Sequence, residues 1–140
     1  MIITAKRLIT GDGKTVIDHG ALLIKGDSIA DVGIITDLKA LYPEEPVVDY
    51  GDAAMLPGLI DMHVHVGHWF NRSNPELYDN YLVGFMALDY VQRALQSGVT
   101  TLRDVSSPHG VCQSLLNAAQ KGFVKIPRLR SYSILMSQTY

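Results

Sequence analysis

The run Leu56-Pro-Gly-Leu-Ile-Asp-Met-His-Val-His65 decides how this sequence is interpreted, because it joins a turn to a strand that carries two histidines. The Pro-Gly pair favours a turn, and the residues after it predict a strand from Leu59 to Val66. Side chains alternate along a strand, so Asp61, His63 and His65 are expected on one face. The apolar residues are expected on the other face: Ile60, Met62, Val64 and Val66.

The polar face of this strand has two interpretations. Imidazole is a common zinc ligand, and two histidines on one strand face form half of a metal site. Strand histidines that are merely half exposed give the same pattern. The apolar opposite face, the turn before the strand and the acidic residue beside the histidines favour the metal site. We therefore predict that His63 and His65 bind a metal.

Strand and helix signals alternate after this run. A helix is predicted to begin at Pro75 and to be stopped by Gly98, and a strand is predicted to follow at Val99–Val105. A second helix is predicted from Pro108 to about Lys121, and a third strand at Pro127–Ser133. Two successive strand–helix–strand crossovers predict a parallel sheet. The apolar stripe expected to pack the first helix on that sheet is Leu77, Tyr81, Phe85, Leu88, Val91 and Leu95.

The residues before the run predict a small antiparallel sheet, because short apolar segments alternate with turn signals. The expected strands are 2–9, Ala21–Lys25, Ser28–Val32, Val47–Tyr50 and Ala53–Leu56. Thr36 is a candidate N-cap for one short helix that ends at Tyr42.

Composition excludes several classes of protein. The chain is 47% hydrophobic and 19% charged with a net charge of −2, so it lacks the basic surface that nucleic-acid binding requires. No apolar stretch approaches the roughly 20 residues of a membrane span. Lys6 and Arg7 interrupt the apolar start that a signal peptide needs, so we expect a cytoplasmic protein without nucleic-acid or membrane partners. The one cysteine, Cys112, is expected to be a small buried side chain on a helix rather than a nucleophile.

Two motifs and the opening segment resemble a known family. The Leu56–His65 run is similar to the signature of the metal-dependent amidohydrolase superfamily, where it forms the first strand of a (β/α)8 barrel and both histidines bind the metal. Gly98-Val-Thr-Thr-Leu-Arg-Asp104 resembles the second barrel strand, in particular that of the imidazolonepropionase-like and prolidase-like branch. The opening segment resembles the small β-sandwich that precedes the barrel, through Ala5–Leu8, Gly20–Ile24 and Asp27–Gly33.

The resemblance implies an α/β fold in two parts. Residues 1–57 would form part of a small β-sandwich, and residues 58–140 the N-terminal part of the hydrolase barrel. A (β/α)8 barrel takes roughly 250 residues. A chain of 140 residues therefore has room for an incomplete TIM barrel, with about three strands and two helices. We expect an N-terminal portion of an amidohydrolase rather than a whole one.

The resemblance also implies a chemistry. In the intact family, metal lowers the pKa of a bound water, and the resulting hydroxide attacks an amide or related carbonyl. The implied cofactor is a divalent metal, with zinc preferred and one or two ions in the complete enzyme. The implied substrate is a small molecule, either short and peptide-like or a cyclic amide. By resemblance, a carboxylated lysine or a glutamate, two later histidines and a general-base aspartate would lie beyond Tyr140. We therefore predict no catalytic residue in this chain and no activity for it alone.

Two questions stay open at this point. The alternative to an enzyme portion is a catalytically incomplete fragment that acts only as an assembly partner, with a complementary chain or with its own copies.

Several polar residues each have two possible roles. His68 and His109 are further ligands or exposed loop histidines, and Asp61 is a metal contact or a carboxylate that positions the strand. Arg103 and Asp104 form a structural ion pair or contact substrate.

Overall fold

The computed structural model describes residues 1–67, 80–107 and 110–131. The predictions made for His68, Pro75, Leu77, Pro108 and His109 fall outside these residues. The chain divides into two units, Met1–Pro57 and Gly58–Tyr140. None of the helices in the described part combines the length and the apolar character that crossing a membrane would require.

The first unit contains seven strands and one helix, arranged in two small sheets. In chain order these are β1 (Ile2–Thr4), β2 (Arg7–Ile9), β3 (Val16–Asp18), β4 (Gly20–Lys25), β5 (Ser28–Ile34), α1 (Ile35–Leu41), β6 (Val47–Asp49) and β7 (Ala54–Met55). The strand orders are β5-β4-β1-β6 and β3-β2-β7. The last strand of each sheet is parallel to its neighbour, since β6 pairs with β1 and β7 with β2 in parallel. The unit is therefore not the single antiparallel sheet that the turn spacing predicted.

Two local predictions for this unit were wrong. The strand expected at residues 2–9 is divided, because the Ala5 N–H donates to Gly20 O while the Lys6 N–H donates to Gly51 O. The backbone thereby changes partners, and the two halves join different sheets. Thr36 does not cap α1, whose N-cap position is Ile34 and has no side-chain hydrogen bond. A small core holds the first sheet against α1: Ile2, Ala21, Leu23 and Leu38.

The second unit alternates strands and helices: β8 (Leu59–Val64), α2 (Asn80–Gln96), β9 (Val99–Asp104), α3 (Val111–Gln120) and β10 (Arg128–Ser131). The three strands form one parallel sheet in the order β10-β9-β8. The mixed α/β class and the parallel order of these strands confirm the prediction from the sequence. The first two strands end two residues and one residue earlier than predicted, and β10 begins one residue later, at Arg128.

One face of the parallel sheet packs against both helices. The core combines residues from the sheet, from α2 and from α3: Val64, Val66, Leu102, Leu129, Val83, Ala87, Val91, Val111, Cys112 and Leu115. Cys112 is buried on α3, as predicted. The apolar stripe of α2 was predicted wrongly in part, since Tyr81 and Phe85 are 81% and 70% exposed. The face of α2 that packs against the sheet instead carries Val83, Ala87 and Val91.

Candidate metal site

Two imidazole rings lie side by side at the end of β8. The ring centroids of His63 and His65 are 5.3 Å apart, with the ring planes inclined by 75°. Both side chains are exposed, whereas Val64 and Val66 are buried in the core under the helices. Because neighbouring side chains of an extended strand point to opposite sides, the two histidines occupy the sheet face away from the helices.

A β-bulge in β8 changes the predicted position of Asp61. Asp61 is level with Leu102, yet Val64 is level with Asp104, so β8 has one extra residue against β9 between these points. Asp61 therefore belongs with the face of the buried Leu102. The prediction that Asp61 shares the face of the histidines was wrong, and Met62 takes that face instead.

The side chain of Asp61 supplies the physical reason for the bulge. Its Oδ1 accepts a hydrogen bond of 3.1 Å from the backbone N–H of His63, which removes that amide from the ladder to β9. Asp61 also acts on the helix side of the sheet. Burial raises the pKa of Tyr90 on α2, and the negative charge of Asp61 raises it further. Of the two roles open for Asp61, these contacts support the carboxylate that positions the strand.

A backbone carbonyl orients the His65 ring. The distance from His65 Nδ1 to Ser106 O is 3.2 Å. A carbonyl oxygen only accepts, so Nδ1 carries the proton in this hydrogen bond. The lone pair of the ring then lies on Nε2, the nitrogen that can bind a metal. Metal-binding histidines are commonly held in this way by a carbonyl or carboxylate behind the ring.

The two rings fit half of a zinc site. Neutral imidazole nitrogens are ligands that zinc prefers, and catalytic zinc sites use three protein ligands and a water. Across residues 1–67, 80–107 and 110–131, no group of three or more His, Cys, Asp or Glu side chains is placed to hold a metal. Further protein ligands for a site at His63 and His65 would have to come from outside those residues.

Two arginines lie on the same sheet face as the histidines. Arg103 of β9 and Arg130 of β10 are level with each other in the parallel register. Both line a cavity of about 480 Å³ together with Met62, Thr101 and Ser131. The next residue, Asp104, points to the opposite face and is 0% exposed. Alternation along β9 thus separates Arg103 and Asp104, which the sequence had offered as a possible ion pair.

Asp104 has a structural role beside this site that the sequence did not predict. Its carboxylate bonds to the Val66 N–H, Ser107 Oγ and Ser131 Oγ. Val66 and Ser131 are 38 and 27 residues away in the chain, so no local pattern connects them with Asp104. Ser107, three residues on, is near in the chain. Alternation along β9 gave no signal either, because both sets of alternating residues mix polar and apolar side chains.

Comparisons with known proteins agree on one family. Residues 54–131 match the family model described as the amidohydrolase family. An imidazolonepropionase from Pyrobaculum arsenaticum is 35% identical over 74 residues, covering 47% of this chain and 19% of that protein. The ochratoxinase of Aspergillus niger is 29% identical over 147 aligned positions, covering 99% of this chain and 29% of the enzyme. A crystal structure of a Xaa-Pro dipeptidase with bound methionine superimposes with a TM-score of 0.79 at 29% identity, covering 94% of this chain and 32% of that one.

These matches involve only a part of each relative. The chain spans about a fifth to a third of their lengths, at 19%, 29% and 32%. The matched family segment begins at β7, includes β8 and both histidines at its end, and ends at the last residue of β10.

Proposed function

Because the chain belongs to the amidohydrolase family, we propose that it is the N-terminal portion of a metal-dependent amidohydrolase. Its reaction would be hydrolysis of an amide bond in a small peptide-like or cyclic substrate. The observation that carries this proposal is the pair of neighbouring imidazoles of His63 and His65 on the sheet face away from α2 and α3. The relatives include an imidazolonepropionase, an ochratoxinase and a Xaa-Pro dipeptidase, which supports a small amide substrate.

The residues of this chain would prepare the site rather than transfer protons. His63 and His65 would hold a divalent metal, zinc by preference. Ser106 O fixes the His65 ring through Nδ1, and Asp61 Oδ1 holds the backbone of His63. When bound, the metal would lower the pKa of water, which makes hydroxide available for amide hydrolysis at neutral pH. The remaining ligands and the general base would come from residues outside the described part of the chain.

Arg103 and Arg130 support a substrate with an acidic group. Both line the same cavity beside Met62, on the face that carries the histidines. Guanidinium groups bind carboxylates through paired N–H donors, and two of them side by side favour an anion over a neutral group. We propose that they receive the carboxylate of a peptide-like substrate.

The test of this role is the effect of Arg130→Ala on KM. We expect the variant to raise KM for free-acid dipeptides and to leave KM for their C-terminal amides unchanged.

The metal proposal is tested by removing both imidazoles. We expect His63→Ala/His65→Ala in the full natural protein to lose bound zinc, measured by metal analysis after dialysis, and to lose hydrolysis of a panel of dipeptides and cyclic amides. Compared in the metal-free proteins, the cost in folding free energy should stay within about 0.5 kcal/mol, because both side chains are exposed. Full zinc occupancy in this folded double variant would place the metal elsewhere and sink the proposal.

A matched control removes an imidazole of the first unit, which contributes no residue to the site. His19 is exposed and has a φ of 50°, a conformation that asparagine tolerates well. His19→Asn should therefore keep both zinc and activity. The alternative, a fragment that serves only in assembly, predicts that the parent protein binds no zinc and hydrolyses none of these substrates under conditions where it is folded.

A further inference from the structure

Asp104 is a fully buried carboxylate at the carboxyl end of β9, with 0% of its surface exposed. A buried charge is unfavourable unless hydrogen bonds replace its lost water. Oδ1 of Asp104 accepts from the Val66 N–H at 2.9 Å and from Ser107 Oγ at 2.5 Å. Oδ2 accepts from Ser131 Oγ at 3.0 Å. One side chain thus joins the ends of all three parallel strands.

The hydrogen bond from Val66 to Asp104 continues the hydrogen bonding of β8 past the point where backbone pairing with β9 stops. The last ladder-type bond on this side runs from the Val105 N–H to Val64 O, at 3.0 Å. Beyond it, the Val66 N–H donates to Asp104, and the Gly67 N–H donates to Ser107 Oγ at 2.8 Å. Since Ser107 itself donates to Asp104, the same carboxylate organises both amides. These amides directly follow His65.

We propose that Asp104 is a positioning residue that fixes the backbone after His65 and so keeps the two imidazoles in metal-binding geometry. This inference rests on the proposed function for its consequence in metal affinity. His65 is then held on three sides. Val105 bonds the residue before it, Asp104 bonds the residue after it, and Ser106 O orients its ring. Asp104 itself touches neither the metal position nor the substrate side of the sheet.

Three variants of the full natural protein separate positioning from general cohesion. Asp104→Ala removes every bond. Asp104→Asn keeps Oδ1 for Val66 and Ser107, and its NH₂ group can donate to Ser131 Oγ, so it should behave like the parent. Ser131→Ala removes only the bond to β10 and leaves Val66 held. It serves as the matched control for loosening the sheet without releasing His65.

Two measurements are made on each variant after circular dichroism has shown that it is folded. One is hydrogen exchange of the Val66 amide in the metal-free protein, and the other is the dissociation constant for zinc. In Asp104→Ala we expect Val66 exchange to accelerate at least about tenfold and zinc to bind about 10–100-fold more weakly, as for other residues that support a ligand. Asp104→Asn and Ser131→Ala should stay within about threefold of the parent in both.

Either measurement can overturn the inference. Unchanged Val66 exchange or unchanged zinc affinity in folded Asp104→Ala would do so, as would an equal loss in Ser131→Ala. If Asp104→Ala does not fold, Asp104→Leu takes its place, because leucine fills the buried volume while still releasing the Val66 N–H. Unchanged zinc affinity there also refutes the inference. Zinc retained by His63→Ala/His65→Ala would instead refute the proposed function, and Val66 exchange, which needs no metal, would still decide whether Asp104 anchors the strand.

Discussion

Cys112 shows how strongly burial sets the chemistry of a single side chain here. The thiol lies in the core between α3 and the sheet. Burial raises its pKa from 9.0 to about 11, and the nearby negative charge of Asp104 adds to that rise, while a hydrogen bond with Ser107 opposes it. A protonated thiol is a poor nucleophile. The environment therefore supports the structural role that the sequence predicted for this cysteine.

Cys112 should react slowly with alkylating reagents while the protein is folded. At pH 8 a thiol of pKa about 11 is about a hundredfold less ionised than an ordinary one, and burial restricts access further. We expect iodoacetamide to label the urea-unfolded chain at least about a hundredfold faster than the native chain. Rapid labelling of the native protein, read by mass spectrometry, would show that the core around α3 opens readily.

The same thiol makes stability depend on pH in the alkaline range. The unfolded thiol loses its proton near pH 9.0, and the folded thiol only near pH 11. Between these values the folded state binds more protons, so the free energy of unfolding falls as pH rises. Below pH 9.0 both states are protonated and this contribution is complete. In thermal melts from pH 8 to 11, the Tm of the parent should fall more steeply with pH than the Tm of Cys112→Ala. The variant keeps every other titratable group, so the difference reports on this thiol.

The entry to β8 depends on the absence of a side chain at Gly58. A Cβ built there would lie 2.7 Å from Thr100 Cβ, a carbon that cannot swing aside without moving β9. The start of β8 can therefore approach β9 only because residue 58 is glycine. This close approach brings the Leu59 N–H to Gly98 O at 2.9 Å, where the two strands begin to pair.

Two glycine substitutions should have opposite effects on stability. Gly58→Ala should lower the free energy of unfolding by about 1–3 kcal/mol through overpacking against Thr100. Gly84→Ala in α2 meets no atom within 4 Å and should raise it by about 0.5–1 kcal/mol, because alanine suits a helix interior better. Urea denaturation of both variants measures the difference. Equal effects would mean that the start of β8 yields easily.

The elements were predictable from the sequence where apolar periodicity and turn residues act together, as for β8, β9, β10 and α3. The details that failed depend on contacts with distant residues or on side chains that compete with the ladder. The bulge in β8 arises because Asp61 takes the His63 amide, and strict alternation has no means to anticipate it. The division of residues 2–9 likewise depends on Gly20 and Gly51, which lie far along the chain. The bulge includes His63, but alternation holds from there onward, because Val64 and Val66 are buried while His63 and His65 are exposed.

The second unit has unequal strand edges in the described part of the chain. β8 and β10 are the outer strands, each paired only with β9 there. The exposed residues of β10 include Arg128 and Arg130, whose charge discourages pairing with another strand. β8 instead exposes Leu59 by 52%, Ile60 by 62% and Met62 by 57%. A parallel sheet is normally covered on both faces. β8 is thus the outer strand with the uncovered apolar side chains, and we expect further strands to be added beside it.

This asymmetry predicts how residues 1–140 behave when expressed alone. We expect the chain to associate at micromolar concentration, with itself or with a chain that supplies more strands, and we place the contact at β8. Ile60→Lys should weaken self-association at least about tenfold in sedimentation equilibrium, because a lysine blocks edge pairing. Ile29→Lys alters a residue of similar exposure, 59% against 62%, on an outer strand of the first unit, and should leave association unchanged. A monomer with cooperative thermal unfolding would show that the β8 edge needs no partner, and equal effects of the two lysines would move the contact away from β8.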